Sequence, residues 1–300
     1  MNSREFRDLC KPYVVRDGSR FRLKNFDPKG PGAKAAQHDA KKFLKKSVRT
    51  LSALQEILYA QDRWGVLLIF QAMDAAGKDS AIKHVMSGVD PKGCQVYSFK
   101  APSSEELDHD FLWHTSKALP ERGRIGIFNR SYYEETLVVR VHPEFLGHEK
   151  LPTPLITKSI WRERFQDINA FERYFTRNGF VIRKFFLNVS RAEQRRRFLE
   201  RLDRPEKNWK FSMGDLAERE RWRAYMAAYE ATIRATATPH APWVVIPADD
   251  KKFARTVVAA AVIDALNGLK LRFPSLDAEQ KKDLTRARRA LTREARRIKS

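Results

Sequence analysis

The chain has only two cysteines, no long apolar run and no apolar segment at its N-terminus. Cys10 and Cys94 are too few for a disulfide framework or a cysteine-based metal site, and the seven histidines show no metal-ligand spacing. No apolar run approaches the roughly 20 residues needed to span a bilayer, and the charged first residues are unlike a secretory signal. We therefore expect a cytoplasmic protein that does not associate with membranes.

Acidic residues are also scarce in comparison with basic ones. The chain has 58 Lys and Arg residues against 37 Asp and Glu residues, a net charge of +21. Such an excess indicates a polyanionic partner, whether nucleic acid, an anionic membrane or a phosphate polymer. Residues 281–300 hold nine basic and two acidic residues, so they account for +7 and leave +14 on the rest of the chain.

Apolar patterning predicts an α/β fold with a parallel sheet covered on both faces. Runs typical of buried strands cover residues 66–70, 95–99, 124–128, 181–189 and 243–246. Helical spacing or helix caps predict helices over residues 33–61, from 103 onward, over 153–177, from 190 onward, over 215–236 and over 253–269.

The chain shows no internal repeat and no convincing linker, so we predict one catalytic domain with terminal extensions. Residues 1–32 are predicted to be an irregular basic arm, because prolines and glycines are frequent there. The catalytic domain covers residues 33–270. A basic tail over 271–300 is expected to be disordered, the alternative being a basic helical face formed by its arginines: Arg286, Arg289, Arg293, Arg296 and Arg297.

The stretch from Gly65 to Ser80 is typical of a phosphate-binding loop. An apolar strand leads into small residues and Gly77-Lys78, and a helical pattern follows. Backbone N–H groups at a helix N-terminus favour anions, and a lysine beside them adds positive charge. Ala72 replaces the usual first glycine and Asp79 the usual hydroxyl residue, so Asp74 is the candidate metal ligand. The alternative is an ordinary strand-to-helix turn.

A second polar cluster follows residues 124–128. It contains Asn129, Arg130, Glu134 and Glu135. If this strand lies beside the first one, these side chains and Lys78 line one cleft, with the mixture of cations and carboxylates that phosphoryl transfer requires. Asn129 could instead cap the next helix, and the two glutamates could simply favour its first turn.

Seven Arg and Lys residues lie between Arg195 and Phe211, where the chain passes from a basic helix into a loop with Pro205, Trp209 and Phe211. This composition indicates a mobile lid that faces an anion, over about residues 195–215. A solvent-exposed helix face is the alternative.

Three segments resemble the motifs of the second family of polyphosphate kinases. They are Gln71–Asp79 (QAMDAAGKD), Phe128–Glu135 (FNRSYYEE) and Pro205–Ser212 (PEKNWKFS). Shorter matches follow the same order, and the resemblance covers about residues 12–270.

The resemblance implies a three-layer α/β/α P-loop kinase-like fold with a helical lid. It also implies Mg²⁺-dependent, reversible transfer of a terminal phosphoryl group between inorganic polyphosphate and adenine nucleotides, with Mn²⁺ as the alternative metal. A homo-oligomer, dimer or tetramer, is expected. Asn129 stands where many members carry aspartate, and with Gln71, Ala72 and Glu134 it resembles the subgroup that phosphorylates both AMP and ADP.

By the same resemblance, Asp74, Lys78, Asn129, Arg130 and Glu134 are expected to be catalytic, and Asp74 and Glu135 to hold the metal. The phosphate or nucleotide site is expected to include residues of the loop and of the lid: Ala75, Ala76, Gly77, Asp79, Ser80, Arg197, Arg201 and Lys210.

Two other functions remain open at this point. One is a P-loop kinase that transfers phosphate from ATP to a small molecule or a nucleoside monophosphate. The other, from a different class, is a non-catalytic nucleic-acid binder, which we consider less consistent with the motifs.

Overall fold

A six-stranded sheet forms the centre of the computed structural model, which describes residues 3–31 and 33–297, without the side chains of 33–41 and 295–297. The strands are β1 (Val14–Val15), β2 (Gly65–Gln71), β3 (Cys94–Ser98), β4 (Ile125–Asn129), β5 (Phe180–Asn188) and β6 (Trp243–Pro247). Their order is β1-β6-β5-β2-β4-β3. Only β1 is antiparallel to its neighbour, so the predicted parallel sheet is confirmed.

Helices of the described residues fill most of the chain between the strands. The first six are α1 (Ser3–Cys10), α2 (Ala33–Gln61), α3 (Lys78–Val85), α4 (Ser104–Leu107), α5 (Trp113–Ser116) and α6 (Glu134–Val141). The others are α7 (Ile160–Arg177), α8 (Arg191–Asp203), α9 (Pro205–Asn208), α10 (Met213–Glu220), α11 (Trp222–Thr236), α12 (Lys251–Gly268) and α13 (Ala278–Arg297).

The strand β2 is buried along its whole length. It pairs with β5 on one side and with β4 on the other, and its apolar side chains Val66 to Phe70 are at most 1% exposed. Full burial of such a side chain stabilises the fold by about 1.5–3 kcal/mol. The strand that leads into the phosphate loop is therefore held rigidly in the centre of the sheet.

Two groups of helices cover the two faces of the sheet. Helix α12 packs on α1, α2 and α3, whereas α11 packs on α6 and α7. Side chains alternate between the faces along β5: Lys184 and Phe186 contact Glu172 of α7 and Tyr229 of α11, whereas Arg183 lies near α1 and α12. The fold is a three-layer α/β/α sandwich.

The N-terminal arm is more regular than the sequence predicted. Residues 3–10 form α1, a 3₁₀ turn follows, and β1 extends the sheet beside β6. Phe6 and Cys10, both 1% exposed, pack α1 into the core. An irregular arm was predicted because prolines and glycines are frequent there, but these two buried residues hold the segment in place. Residues 1, 2 and 32 lie outside the described part of the chain.

Three predicted helices have different bounds. The helix expected over 153–177 begins at Ile160, because Pro152 and Pro154 shape a 3₁₀ turn before it. The helix expected over 215–236 is two helices, α10 and α11, with a break at Arg221. The capping box of Ser103 and Glu106 forms as predicted, but α4 ends at Leu107.

The C-terminal tail is helical over Ala278–Arg297, so the expectation of disorder is wrong for its described residues. A capping box starts α13: the Gln280 backbone N–H donates to Asp277, and the Asp277 N–H donates to Gln280. Alanine, glutamate, lysine and arginine, which favour helices, then continue it. The side chains of Arg296 and Arg297 lie outside the described part.

Candidate active site

The loop after β2 has the backbone of an anion site. Gly77, at the N-cap of α3, has a φ of 105°, which favours glycine, and Ala75 has a φ of 60°. The first hydrogen bond of α3 runs from the Ala81 N–H to the Gly77 carbonyl, so the N–H groups just before Ala81 have no partner within the helix. Ala76, Gly77, Asp79 and Ser80 line a cleft of about 560 Å³ above this helix end. The loop therefore presents N–H groups to the cleft, as a phosphate site requires.

Arg197 holds this loop from below. Its side chain is 3% exposed, and each of its N–H groups has an acceptor. The acceptors are Glu193 and the backbone carbonyls of Ala75, Ala76, Ala248 and Asp249, at 2.6–3.0 Å. The expectation of a phosphate-facing lid residue is corrected here, because the guanidinium is already saturated. Arg197 shapes the loop and joins it to α8.

Asp74, Arg130 and Glu134 form one cluster beside the loop. One guanidinium nitrogen of Arg130 lies 3.3 Å from an Asp74 carboxylate oxygen, and the other lies 3.5 Å from Glu134. The strands β2 and β4 are adjacent and parallel, which places both chain segments at the same sheet edge. As predicted, Lys78, Asn129 and Arg130 line one cleft, but Glu134 and Glu135 line a neighbouring cavity instead.

Burial changes the pKa values of the charged groups in this cluster. Desolvation raises the pKa of Glu134, although Arg130 and Lys78 counteract the change. Desolvation also lowers the pKa of Lys78, and Asp74 counteracts it. The Lys78 ammonium donates to the Ala72 carbonyl at 2.9 Å. The opposite charges of Asp74, Arg130, Glu134 and Lys78 thus offset part of the cost of desolvation in a cluster that is still partly exposed.

Asn129 does not cap the following helix. Its side-chain NH₂ donates to Asp79 at 2.7 Å, across the cleft from β4 to α3. The turn before α6 is instead closed by Ser131, whose hydroxyl accepts the Tyr133 N–H. The capping alternative for Asn129 is therefore wrong, and Asn129 and Asp79 form a bridge at the mouth of the loop.

The lid segment consists of the end of α8, α9 and the start of α10. Arg201 donates to Asp215 at 3.2 Å, and the Lys210 ammonium lies over the exposed ring of Trp209. Lys207 pairs with Glu200 at 2.5 Å. Arg201, Lys207 and Lys210 all line the cleft opposite the loop. These three basic residues thus face the cleft, whereas Arg196 and Arg204, with side chains 60% and 54% exposed, face solvent as the alternative predicted.

Glu135 does not join the cluster around Asp74. It accepts from Arg164 at 2.6 Å, and Arg164 also bonds to Glu149. Arg164 and Glu135 are 5% and 7% exposed, so this is a buried ion pair between α6 and α7. The expected role of Glu135 as a metal ligand does not fit, because its carboxylate is engaged away from Asp74. As the alternative predicted, both glutamates lie in the first turn of a helix.

Sequence reasoning missed two residues that support the loop and a third that lines the cleft. Gln194 donates to the Asp74 carbonyl at 3.0 Å, and Arg255 donates to the Ser80 hydroxyl at 2.6 Å. Lys251 lines the cleft. Gln194 lies four residues after the helix cap Ser190 on the helix that carries Arg197, a spacing that could have identified it. Nothing local in the sequence identifies the two residues of α12.

A second, more enclosed cavity of about 240 Å³ adjoins the cleft. Arg130, Phe99 and Lys100 line both spaces, and Glu134 lines the second. Apolar and aromatic side chains form much of the remaining wall, among them Pro102, Leu107, His114, Val138, Val139 and Phe145. The site therefore consists of a cationic cleft and a partly apolar cavity that meet at Arg130.

A buried network fixes the segment that follows Arg130. Glu172 accepts from the hydroxyls of Tyr132 and Tyr133 at 2.9 and 2.8 Å, and from Lys184 at 2.6 Å. Lys184 also donates to the Thr236 carbonyl at 2.7 Å. Lys184 and Glu172 are both 0% exposed. The two tyrosines of the motif thus anchor the turn that carries Arg130.

Comparisons with known proteins agree with this geometry. The model of the family described as polyphosphate kinase 2 (PPK2) matches residues 34–274. An ADP-polyphosphate phosphotransferase from Rhodopseudomonas palustris is 48% identical over 282 residues, covering 94% of this chain and 98% of that protein. An AMP/ADP-polyphosphate phosphotransferase from Meiothermus ruber is 42% identical, covering 91% and 98%. The crystal structure of a polyphosphate kinase 2 from Arthrobacter aurescens superposes with a TM-score of 0.82 at 41% identity, covering 90% and 94%.

Proposed function

Because the chain belongs to the polyphosphate kinase 2 family, we propose that it transfers the terminal phosphoryl group of inorganic polyphosphate to AMP or ADP, reversibly. Two relatives similar over more than nine-tenths of the chain are named for such reactions. The observation that carries the proposal is the cleft in which Lys78, Arg130 and the basic residues of the lid surround the phosphate loop.

The reaction exchanges one phosphorus–oxygen bond for another. The bond between the terminal phosphorus of polyphosphate and its bridging oxygen breaks, and a terminal phosphate oxygen of the acceptor forms the new bond. The shortened chain leaves with the bonding electrons. The protein needs mainly to position both phosphates and to balance their charge.

The residues at the junction of the two cavities suit this task. Lys78 and the N–H groups at the start of α3 bind phosphate oxygens, while Arg130 reaches both spaces and bridges donor and acceptor. Asp74 and Glu134 hold the Arg130 guanidinium from two sides. Arg201 and Lys210 bind the chain from the lid, and Asn129 positions Asp79.

The cleft and the cavity have different chemistry, which indicates which substrate each binds. Polyphosphate is a linear polyanion, so it suits the cleft lined by lysines and arginines. The cavity next to Arg130 and Glu134 presents apolar and aromatic walls, which suit the nucleoside of AMP or ADP.

The residues at the loop fit a divalent cation. Mg²⁺ is usually held by one or two carboxylates together with substrate phosphates. Asp74 offers such a carboxylate beside the phosphate loop, and its side chain is 28% exposed. When bound, the cation neutralises charge on the phosphates. We propose Mg²⁺ with Asp74 as its protein ligand, and Mn²⁺ as an alternative.

Compartment and assembly remain predictions. In the part of the chain that the structure describes, no helix is both long and apolar enough to cross a bilayer. We propose a cytoplasmic homo-oligomer, dimer or tetramer, which light scattering of the purified protein tests.

The decisive experiment compares initial rates with different donors and acceptors. AMP and ADP are each incubated with polyphosphate and Mg²⁺, and ATP with AMP is tested without polyphosphate. We expect ADP or ATP to form only when polyphosphate is present. Phosphoryl transfer from ATP alone, or no product from a folded protein, would contradict the proposal.

A further inference from the structure

The helix α13 carries a row of exposed cations outside the region that the family model matches. Lys281, Lys282, Arg286, Arg289 and Arg293 line one shallow groove along this helix. All are exposed, and among the side chains that the structure describes only Arg286 has an acidic partner within 4.0 Å, namely Asp283 at 3.8 Å. The match to the family model ends at residue 274, four residues before α13 begins.

These cations occupy one side of the helix. At 3.6 residues per turn they fall within an arc of about 140°, and from Lys281 to Arg293 they extend about 18 Å along the axis. The acidic residues Glu279, Asp283 and Glu294 lie outside this arc. The face is therefore a continuous cationic strip and not a mixture of alternating charges.

The other sides of α13 offer little for a different partner. Its apolar residues are mainly Leu284 and Leu291, with a few alanines, too few for the broad apolar face of a membrane-surface helix. No aromatic residue occurs between 278 and 297, so the helix lacks the rings on which single-stranded bases stack. A cationic strip without aromatic side chains suits an anion that consists of phosphates alone.

We propose that α13 is an auxiliary binding site for long-chain inorganic polyphosphate, separate from the catalytic cleft. This inference rests on the proposed function, which supplies the linear polyanion. A chain held at one end in the cleft and along its length by α13 is bound at two places, which raises its effective concentration at the cleft. Tripolyphosphate has only three phosphates, so we expect it to bind in the cleft without engaging α13.

The test removes the same charge from two helices. The first variant is Lys281→Gln, Arg286→Gln, Arg289→Gln and Arg293→Gln, which keeps residues of good helix propensity. The matched control replaces with glutamine four exposed cations that also lie on one side of a helix, here α2: Lys42, Lys45, Lys46 and Arg49. Circular dichroism verifies folding. Rates are measured with long-chain polyphosphate and with tripolyphosphate at low salt.

In the α13 variant we expect KM for long-chain polyphosphate to rise by about tenfold or more, because phosphate binding by several cations is strongly additive. The kcat and the KM for tripolyphosphate are expected to stay unchanged. Equal effects in the α2 control would show that net charge alone is responsible and would overturn the proposal, as would an unchanged KM.

Direct binding separates this inference from the proposed function. Fluorescence anisotropy with end-labelled long-chain polyphosphate is compared with labelled duplex DNA. We expect the α13 variant to lose at least tenfold in affinity for polyphosphate, whether or not the protein proves to be a kinase. Loss of DNA binding with undiminished polyphosphate binding would assign the helix to nucleic acid and overturn the inference.

Discussion

Replacing Lys184 with methionine should destabilise the protein far more than the loss of an ordinary surface lysine. Lys184 and Glu172 are both 0% exposed and lie 2.6 Å apart, with α7, β5 and the tyrosines of the motif held around them. Removal of one partner leaves the other charge buried without compensation, which costs about 3–5 kcal/mol. Whole domains are stable by only about 5–15 kcal/mol, so the effect should be large.

Two further variants make this prediction specific. Lys150→Met removes a lysine whose partner, Asp108, is also exposed, with side-chain exposures of 66% and 55%. Such surface pairs contribute about 0–1 kcal/mol. The double variant Lys184→Met, Glu172→Gln removes both buried charges together and should recover much of the loss.

The assay is urea unfolding followed by circular dichroism. We expect the midpoint to fall strongly in Lys184→Met, slightly in Lys150→Met and to an intermediate degree in the double variant, with similar m values. If Lys184→Met is no less stable than Lys150→Met, or if the double variant is as unstable as the single one, the buried network does not hold the fold as we infer.

Three other predictions concern the loop, its support and a buried thiol. Lys78→Ala should lower kcat/KM by about 10²–10³, with unchanged circular dichroism, because it removes the cation at the phosphate loop; normal turnover would exclude this role. Arg197→Met should lower the free energy of unfolding by at least about 3 kcal/mol, because buried carbonyls lose their donors. Arg196→Met should lower it by about 1 kcal/mol or less, because this side chain, paired with the same Glu193, is 60% exposed. Urea midpoints test both variants, and equal losses of stability would contradict the role given to Arg197. Burial raises the pKa of the Cys10 thiol from 9.0 to about 12, so the unfolded chain loses this proton first and stability falls as pH rises from 9 towards 12. Cys10→Ala should show a smaller decline in urea midpoint over that range than the unmodified protein. Parallel declines of the two proteins would refute this contribution of Cys10.

The sequence was sufficient for the parts of the fold and of the site that depend on local patterns. The buried run Val66 to Phe70 predicted the central strand, and Gly77-Lys78 predicted the turn into α3, because only a few conformations connect such elements. The sequence did not show that β2 and β4 are neighbours, and the prediction of a shared site depended on it. Because the two strands are adjacent and parallel, Asp74 and Arg130 lie at the same edge of the sheet.

The sequence could not indicate which partners a side chain finds among residues that are distant along the chain. Arg197 and Glu135 were predicted to face phosphate and metal, yet each is engaged by residues far away in sequence. A basic side chain looks the same in a sequence whether it faces solvent, substrate or buried carbonyls. For the tail, a local signal was present but unused, namely the capping box of Asp277 and Gln280.

The five hydrogen bonds of Arg197 also determine where the lid can bend. Four of them fasten the first half of α8 to the phosphate loop and to the residues just after β6, so we expect this half to move with the sheet. If the lid bends, we therefore expect it to do so after Arg197, and Arg204, whose backbone is extended between α8 and α9, is where the helical path is interrupted. Lys207 and Lys210 lie beyond this point and Arg201 before it. Two ion pairs span this point, Lys207 with Glu200 and Arg201 with Asp215, so bending there would have to break both of them.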